Sequence, residues 1–518
     1  MTAVSPNRDS THVYSIARLR RSGMVFLAAK GLTAPLNLAA FLLIAARLPQ
    51  PEFALYAWLV AFGQITQQVS VFGLNWIALH QVPYYRTRVG GRSYRLFLLE
   101  LVAVRAAGIA ALVALSFIAA PSLVAAFGHE AWLPALRLYL GVLAAEAGVE
   151  FLRSCVFEPL LEQGMSQANV LTQHSVLLVG LLLAVWTHGS PLSIAAVLYV
   201  RGAAVWLALT VALGQLVHLL RQPAAAVGGE PPRRRRDLLA FALDNYVQDI
   251  MRLTASGSLM TMLASRLVDV SALAAFGFAQ NLAGFVFRFL PAQLFIGLLR
   301  PPVIAAYVTD RSFVELRRRI GLILKISVCT LAGVTALLVA VGRPALAVLS
   351  GGQYAASYGL LLTFLLWLAL VSLQKMLSVL TNVLGHSELL RRASLAALLV
   401  VPAAVVLVSV GAGPYGLVLG MIIGDAVSIW IVVRQFRLTG YHLVFDARGY
   451  GRMSGATLAA VLLGGLSVRA LPPGLWSVSG GIAATLASFA LALRIFRPFA
   501  PRERRAIEHL VGRRMILL

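Results

Sequence analysis

Long apolar segments recur along the whole chain. About fourteen of them approach the roughly 20 residues that an α-helix needs to span a bilayer. They lie near 24–47, 54–79, 95–120, 132–153, 168–187, 191–217, 237–265, 271–299, 320–342, 357–383, 393–411, 414–433, 453–471 and 475–496. Because 59% of the residues are hydrophobic and only 12% are charged, a soluble fold is excluded. The sequence predicts an all-α, polytopic membrane protein with about 14 transmembrane helices.

Basic residues gather in alternate loops. The chain has 44 Lys and Arg against 20 Asp and Glu, a net charge of +24. In a soluble chain this excess would suggest nucleic-acid binding, but here the cations lie in short loops such as 86–95, 233–236 and 502–505. Because membrane proteins keep loops rich in Lys and Arg on the cytoplasmic side, we expect both termini to be cytoplasmic and no nucleic-acid partner.

The chain has two cysteines, Cys155 and Cys329, and both adjoin apolar helix. It has no CxxC motif and no cluster of Cys and His, which are the usual signatures of metal and redox sites. We therefore expect no metal, no disulfide framework and no cofactor.

A loop rich in Pro, Gly and Ala at 221–236 predicts a linker between two halves. A shift of 219 positions across it aligns Arg47 with Arg266 and Pro83 with Pro302. Six predicted helices precede the linker and six follow it, so both halves begin on the same side, as in a parallel pseudo-repeat. The predicted organisation is a cytoplasmic N-terminal tail (1–23), an N-lobe (24–220), a basic linker (221–236), a C-lobe (237–437), helices 13 and 14 (438–496) and a basic cytoplasmic tail (497–518).

Several charged side chains fall inside the apolar segments. A charge at the bilayer centre costs roughly 2.5–3.5 kcal/mol on insertion scales, so such residues usually face a bundle interior or a wet cavity. Arginine can hold phosphate oxygens in a bidentate fork, and lysine supplies a point charge. The candidate substrate-binding residues are Lys30, Arg105, Arg201, Arg252, Arg288 and Asn281.

A structural role for these cations stays open. Arg252 follows Asp249 by three positions, and Arg153 follows Glu150 by three, spacings that place the charges on one helical face. Arg105 has Glu100 five positions away. Ion pairing inside the helices is therefore the alternative to a cationic cavity.

The buried acids suggest a second kind of site. Glu146, Glu150, Asp249 and Asp425 are candidates for binding a coupling H⁺ or Na⁺. Asp425 lies in the middle of an apolar segment, where burial would favour its protonated form. A simple hydrogen-bonded acid is the alternative for this residue.

The segment ARLPQPEFALYAWLVAFGQITQQVSVFGLNWIALHQVPYYR, at 46–86, resembles the opening of polysaccharide repeat-unit flippases. These form the Wzx-like branch of the multidrug/oligosaccharidyl-lipid/polysaccharide exporter superfamily. In that family a stretch similar to "lsp.eFGlYa" leads into helix 2, which ends in a turn containing glycine. The chain departs from the pattern at Ala54, where the family often has glycine.

The resemblance implies two six-helix lobes around a cationic cavity that opens alternately to each side, followed by a variable helix pair. It also implies a cargo, an undecaprenyl-diphosphate-linked oligosaccharide, carried across the bacterial inner membrane for exopolysaccharide, capsule or O-antigen assembly. Partners would be this lipid-linked glycan, the bilayer and other polysaccharide assembly proteins. Two alternatives stay open: a cation-coupled multidrug antiporter of the same superfamily, and an integral polymerase or glycosyltransferase. The short outer loops argue against the enzyme, since they leave little room for a catalytic domain.

Overall fold

The computed structural model describes residues 16–89, 91–189, 191–222, 235–293, 312–384, 387–443, 445–472 and 474–511. Within these ranges every regular element is helical. Ten of the described helical stretches are long and apolar enough to cross a membrane. The predicted all-α, multi-pass membrane fold is therefore confirmed, while the count of fourteen crossings stays a prediction. The start of the N-terminal tail, most of the linker, Pro302 and the end of the basic tail lie outside the described residues.

The chain divides into two compact units, Met1–Leu253 and Thr254–Leu518. The first unit contains α1 (Ile16–Arg47), α2 (Gln50–Val69), α3 (Leu74–Tyr84), α4 (Gly91–Phe127), α5 (Leu133–Phe151), α6 (Gln163–His188), α7 (Ile194–Arg221) and α8 (Arg235–Leu253). One of its apolar clusters joins Leu98, Phe151 and Phe157, all buried. This division differs from the predicted lobes in placing α8 with the first half.

The second unit contains α9 (Gly257–Leu267), α10 (Val270–Phe289), α11 (Phe313–Leu349), α12 (Tyr358–Val383), α13 (Ser387–Leu395), α14 (Val400–Leu407), α15 (Gly413–Leu438), α16 (Ala447–Ala470), α17 (Leu475–Phe496) and α18 (Pro501–Val511). Helices α16 and α17 pack against each other and against α11. The predicted helix pair near the C-terminus is thus attached to the rest of its unit through α11.

Several segments that were predicted as continuous helices are interrupted, among them 271–299 at Leu290. The segment 54–79 contains a break at Ser70–Gly73, between α2 and α3. The segment 237–265 is broken at 254–256, where Ser256 caps α9 by accepting a hydrogen bond from Leu259 N. The segment 393–411 passes through a 3₁₀ turn before α14 and a π-helical turn after it. Apolar composition predicts that a segment crosses the membrane but does not show where its helix stops.

The pseudo-repeat has a structural counterpart in α2 and α10. Each of these helices is 20 residues long, and each is followed by non-helical backbone. Leu290, directly after α10, has an extended backbone, and it lies 219 positions after Val71 in the α2–α3 break. The offset that aligns Arg47 with Arg266 therefore also aligns the ends of the two helices to within one residue.

Candidate functional site

The break between α2 and α3 is where polar groups of the first unit converge. Phe72 and Gly73 have φ angles of 46° and 74°, a left-handed conformation that glycine adopts without steric cost. A Cβ atom at Gly73 would clash with the carbonyl oxygen of Ala242 in α8, so α8 packs directly on the break. At membrane depth, non-helical backbone occurs where it is buried in protein or lines a wet cavity. We therefore take Ser70–Gly73 as the centre of the candidate site.

Arg105 of α4 reaches this break. Its side chain is only 3% exposed, and Nη1 donates a 2.8 Å hydrogen bond to Ser70 Oγ. The guanidinium lies 5.7 Å from the centroid of the Phe151 ring. Among the described residues no carboxylate lies within ion-pair distance of Arg105, and its Nε has no hydrogen-bond partner there. The sequence-predicted cation is thus a buried positive charge with spare donor capacity.

Helix α8 supplies an aromatic hydroxyl and an acid to the same place. Tyr246 Oη donates a 2.9 Å hydrogen bond to the carbonyl oxygen of Val69, the last residue of α2. Trp76 Nε1 donates to Asp249 Oδ2 at 2.9 Å, and Gln68 Nε2 donates to the backbone oxygen of Asp249 at 3.3 Å. Asp249, predicted as a coupling-ion ligand, is therefore hydrogen-bonded across the break to α2 and α3.

Arg201 and Glu146 form a second polar cluster between α7 and α5. Arg201 Nε donates to Glu146 Oε1 at 2.6 Å, and Arg201 Nη1 donates to Tyr56 Oη at 2.9 Å. The guanidinium also lies 5.8 Å from the centroid of the Tyr139 ring. The structure thus joins a residue predicted to bind substrate to one predicted to bind the coupling ion. Their charges cancel locally.

The remaining predicted residues of the first unit lie apart from these clusters. Glu150 is exposed and pairs with Arg153 three positions later at 2.6 Å, which confirms the predicted pairing within the helix. Lys30 is half-buried, with Nζ 5.5 Å from the centroid of the Phe26 ring. Arg252, in the last turn of α8, has an exposed side chain.

In the second unit, Asp425 of α15 is 6% exposed. Its Oδ2 accepts a 2.8 Å hydrogen bond from Trp367 Nε1 of α12. Gln374, two turns further along α12, donates to Ser428 Oγ at 3.2 Å. These contacts link α12 and α15 through a buried acid that lies in the membrane-spanning part of the unit.

Two further predicted residues lie on α10. Asn281 Nδ2 donates to the carbonyl oxygen of Gly277 at 2.8 Å, a bond within the helix. Arg288 is in the last turn of α10, and its exposed guanidinium lies 5.7 Å from the centroid of the Phe285 ring. None of the hydrogen bonds described here joins Asn281 or Arg288 to Asp425.

Sequence reasoning missed one buried charge, Lys325 of α11. Its side chain is 1% exposed, and Nζ donates to Asp446 Oδ2 at 2.6 Å and to Glu503 Oε2 at 2.7 Å. The chain has only three lysines, and Lys325 interrupts an apolar segment. A lone lysine in an apolar segment was the sequence feature that could have identified this residue.

No protein-family model matches this sequence, and no curated protein matches it. Solved structures do match the fold. A structure described as "Lipid II flippase MurJ, inward closed conformation" aligns with a TM-score of 0.62 at 14% identity, over 92% of this chain and 100% of that one. An "Inward-facing conformation of a multidrug resistance MATE family transporter of the MOP superfamily" aligns with a TM-score of 0.58 at 16% identity, over 80% of this chain and 98% of that one. A MATE protein "in the straight conformation" aligns with a TM-score of 0.55 at 15% identity, over 84% and 98% of the two chains. The chain therefore has the fold that these proteins share.

Proposed function

We propose that the protein is a flippase that moves undecaprenyl-diphosphate-linked oligosaccharide repeat units across the bacterial inner membrane for exopolysaccharide, capsule or O-antigen assembly. The observation that carries this proposal is Arg105, a buried cation at a helix break with no carboxylate partner among the described residues. A buried charge is costly unless it is compensated. A diphosphate cargo would bring the compensating negative charge into the membrane region.

Two exposed arginines suit the same cargo. Arg252 and Arg288 lie in the last turns of α8 and α10, and both have exposed side chains. A charge that faced hydrocarbon would be costly, so these side chains are expected to face water. Guanidinium groups in a wet chamber can bind phosphate oxygens through paired hydrogen bonds. Arg201, in contrast, is held by Glu146 and has a structural role in this proposal.

The proposed cycle is alternating access. The diphosphate binds the arginines from the cytoplasmic side, the glycan occupies the aqueous chamber and the polyprenyl tail stays in lipid. Transporters often place their substrate sites at interrupted helices, because unwound backbone offers polar groups at membrane depth. The fold likeness to the structure described as a lipid II flippase supports this class of cargo.

The decisive test is the leaflet on which lipid-linked oligosaccharide accumulates when the gene is deleted. Inverted and right-side-out vesicles from the deletion strain would be probed with a glycan-specific lectin or a glycosidase that cannot cross the membrane. We expect the cargo to be trapped on the cytoplasmic face in the deletion strain and to reach the outer face when the intact protein is expressed again. Equal access from both sides in the deletion strain would contradict the proposal.

The double variant R252A/R288A tests the predicted phosphate ligands. We expect it to abolish glycan export while the protein remains in the membrane. R391A/R392A is a matched control, because those two exposed arginines lie beside Glu388 on α13. Normal export by R252A/R288A would contradict the assignment of these two residues without excluding the flippase.

Asp425 favours the second candidate, a cation-coupled multidrug antiporter. A buried acid in a membrane segment is a common ion-binding device, and two of the similar structures are of MATE proteins. This alternative predicts that deletion lowers resistance to cationic drugs without trapping lipid-linked glycan, and that D425N has the same effect. Unchanged drug resistance in the deletion strain would exclude it.

A further inference from the structure

Lys325 forms ion pairs with two acids, the exposed Asp446 and the half-buried Glu503. Asp446 immediately precedes α16 and caps it by accepting a 2.9 Å hydrogen bond from Gly449 N. Glu503 lies in the first turn of α18, where its Oε2 also accepts a 2.7 Å hydrogen bond from Ala500 N. Both carboxylates contact the same buried ammonium group at 2.6 and 2.7 Å. The single positive charge of Lys325 thus offsets one of the two carboxylate charges.

Arginines dominate the surface that surrounds this buried ion cluster. A four-residue connection joins α16 to α17, and the two helices pack together, so the start of α16 lies beside the end of α17. A second short connection leads from the end of α17 to α18. The exposed arginines in this region are Arg448, Arg452, Arg494, Arg497, Arg502 and Arg505. Glu508 is the remaining acid on the described part of α18, and it is half-buried. We call this set of six arginines the arginine patch.

Helix α18 is docked on the protein body rather than projecting from it. Phe499 and Ile507 are buried in one apolar cluster with Cys329 of α11 and Met453 of α16. The Lys325 ammonium also lies 5.3 Å from the centroid of the Phe499 ring. The arginine patch is therefore held in place by both apolar and ionic contacts.

Apolar surface lies next to the arginine patch. Ile495 and Phe496 at the end of α17 are exposed, and Leu491 one turn earlier is exposed as well. A molecule that fits both surfaces has an anionic head and an apolar tail. Clustered arginines beside a membrane segment attract anionic lipid headgroups.

We propose that the arginine patch binds the phosphate headgroups of anionic phospholipids, whose acyl chains lie along the exposed apolar face of α17. Lys325 supports this by contacting both Asp446 and Glu503, which lowers the net negative charge beside the arginine patch. None of the arginines in the patch belongs to the proposed cargo-binding set, so this inference does not depend on the identity of the transported cargo.

The test uses the full-length purified protein, delipidated and titrated with phosphatidylglycerol or phosphatidylcholine, with bound lipid counted by native mass spectrometry. The variant R502Q/R505Q removes two arginines of the patch. At about fivefold per arginine near a membrane surface, we expect its affinity for phosphatidylglycerol to fall roughly 30-fold. The control R391Q/R392Q removes two exposed arginines that lie beside Glu388, and we expect it to bind like the wild type.

Thermal unfolding of both double variants shows whether each is folded before its lipid binding is compared. Equal phosphatidylglycerol binding by R502Q/R505Q and the wild type would overturn the proposal. Equal affinity of the wild type for phosphatidylcholine would also overturn it, because a zwitterionic lipid lacks the net negative charge that the patch is inferred to recognise.

Discussion

Arg105 Nη1 donates a 2.8 Å hydrogen bond to Ser70 Oγ, at the first residue beyond the end of α2. Ser70 Oγ in turn donates to the carbonyl oxygen of Gln67 at 2.8 Å. The carboxyl end of a helix carries a partial negative charge that stabilises a nearby cation. The end of α2 therefore offsets part of the charge of Arg105 and leaves the remainder available to an anion.

Replacing Arg105 by Met should separate stability from transport. The substitution removes a buried charge that no described carboxylate compensates, so the free energy of unfolding should stay unchanged or rise by about 1–3 kcal/mol. Export of lipid-linked glycan should be lost. R105K, which keeps the charge without the planar fork, should retain part of the activity. The measurements are thermal unfolding in detergent and the leaflet assay. Full export by R105M would show that Arg105 has no role in binding the cargo.

Glu146→Gln should destabilise the first unit strongly. It leaves the largely buried Arg201 guanidinium without its 2.6 Å partner, and breaking a fully buried ion pair costs about 3–5 kcal/mol, so we expect a loss of up to about that size. The double variant E146Q/R201M removes both charges and should recover most of that stability. The unfolding midpoints of the purified variants provide the comparison. A double variant no more stable than E146Q would argue that the ion pair does not account for the loss.

Gly73→Ala tests the α2–α3 break. The new Cβ would clash with the carbonyl oxygen of Ala242, and a left-handed conformation costs a residue other than glycine about 1–2 kcal/mol. We expect lower thermal stability and reduced export. Gly214→Ala is the matched control, because open space surrounds that glycine of α7 and alanine favours a helix by up to about 1 kcal/mol. Equal midpoints for the two variants would mean that the break tolerates a side chain.

Asp446 should make stability depend on pH in the acidic range. The hydrogen bonds from Lys325 and from Gly449 N hold the pKa of this carboxyl below its usual value. A lowered pKa in the folded state gives stability that is present above the ordinary Asp value of about 3.9 and is lost as the pH falls through the folded-state value. The midpoint difference between wild type and D446N should therefore be constant from pH 8 to pH 5 and shrink below about pH 4. A difference that does not change down to pH 3 would contradict this role of Asp446.

The membrane fold could be predicted from the sequence because it depends on the length of the apolar segments and on the charge of the loops. Apolar runs long enough to cross a bilayer predict helices, and alternating basic loops predict their orientation. The 219-residue offset between Arg47 and Arg266 also anticipated the matching ends of α2 and α10. These features are local or periodic, so they can be recognised in a single sequence.

The helix breaks and ion partners depended on contacts that are distant in sequence. Asp249 has Arg252 three positions away, yet its carboxylate accepts a hydrogen bond from Trp76, 173 positions earlier. Glu146 and Arg201 are 55 positions apart, and Lys325 binds acids 121 and 178 positions away. Such partners are set by helix packing, which one sequence does not reveal. Which of the predicted arginines bind the cargo therefore stays a prediction.

Helix length has a consequence for how the protein fits membranes of different thickness. Helices α4 and α11 have 37 residues each, or about 55 Å, while the hydrocarbon layer is only about 30 Å thick. Helix α17 has 22 residues, or roughly 33 Å, between exposed Trp476 at one end and Arg497 just beyond the other. A thinner or thicker bilayer is thus accommodated easily by the long helices but creates hydrophobic mismatch at α17. Because Glu503 of α18 is paired with Lys325 of α11, we expect a displacement at the end of α17 to be felt at α11 as well.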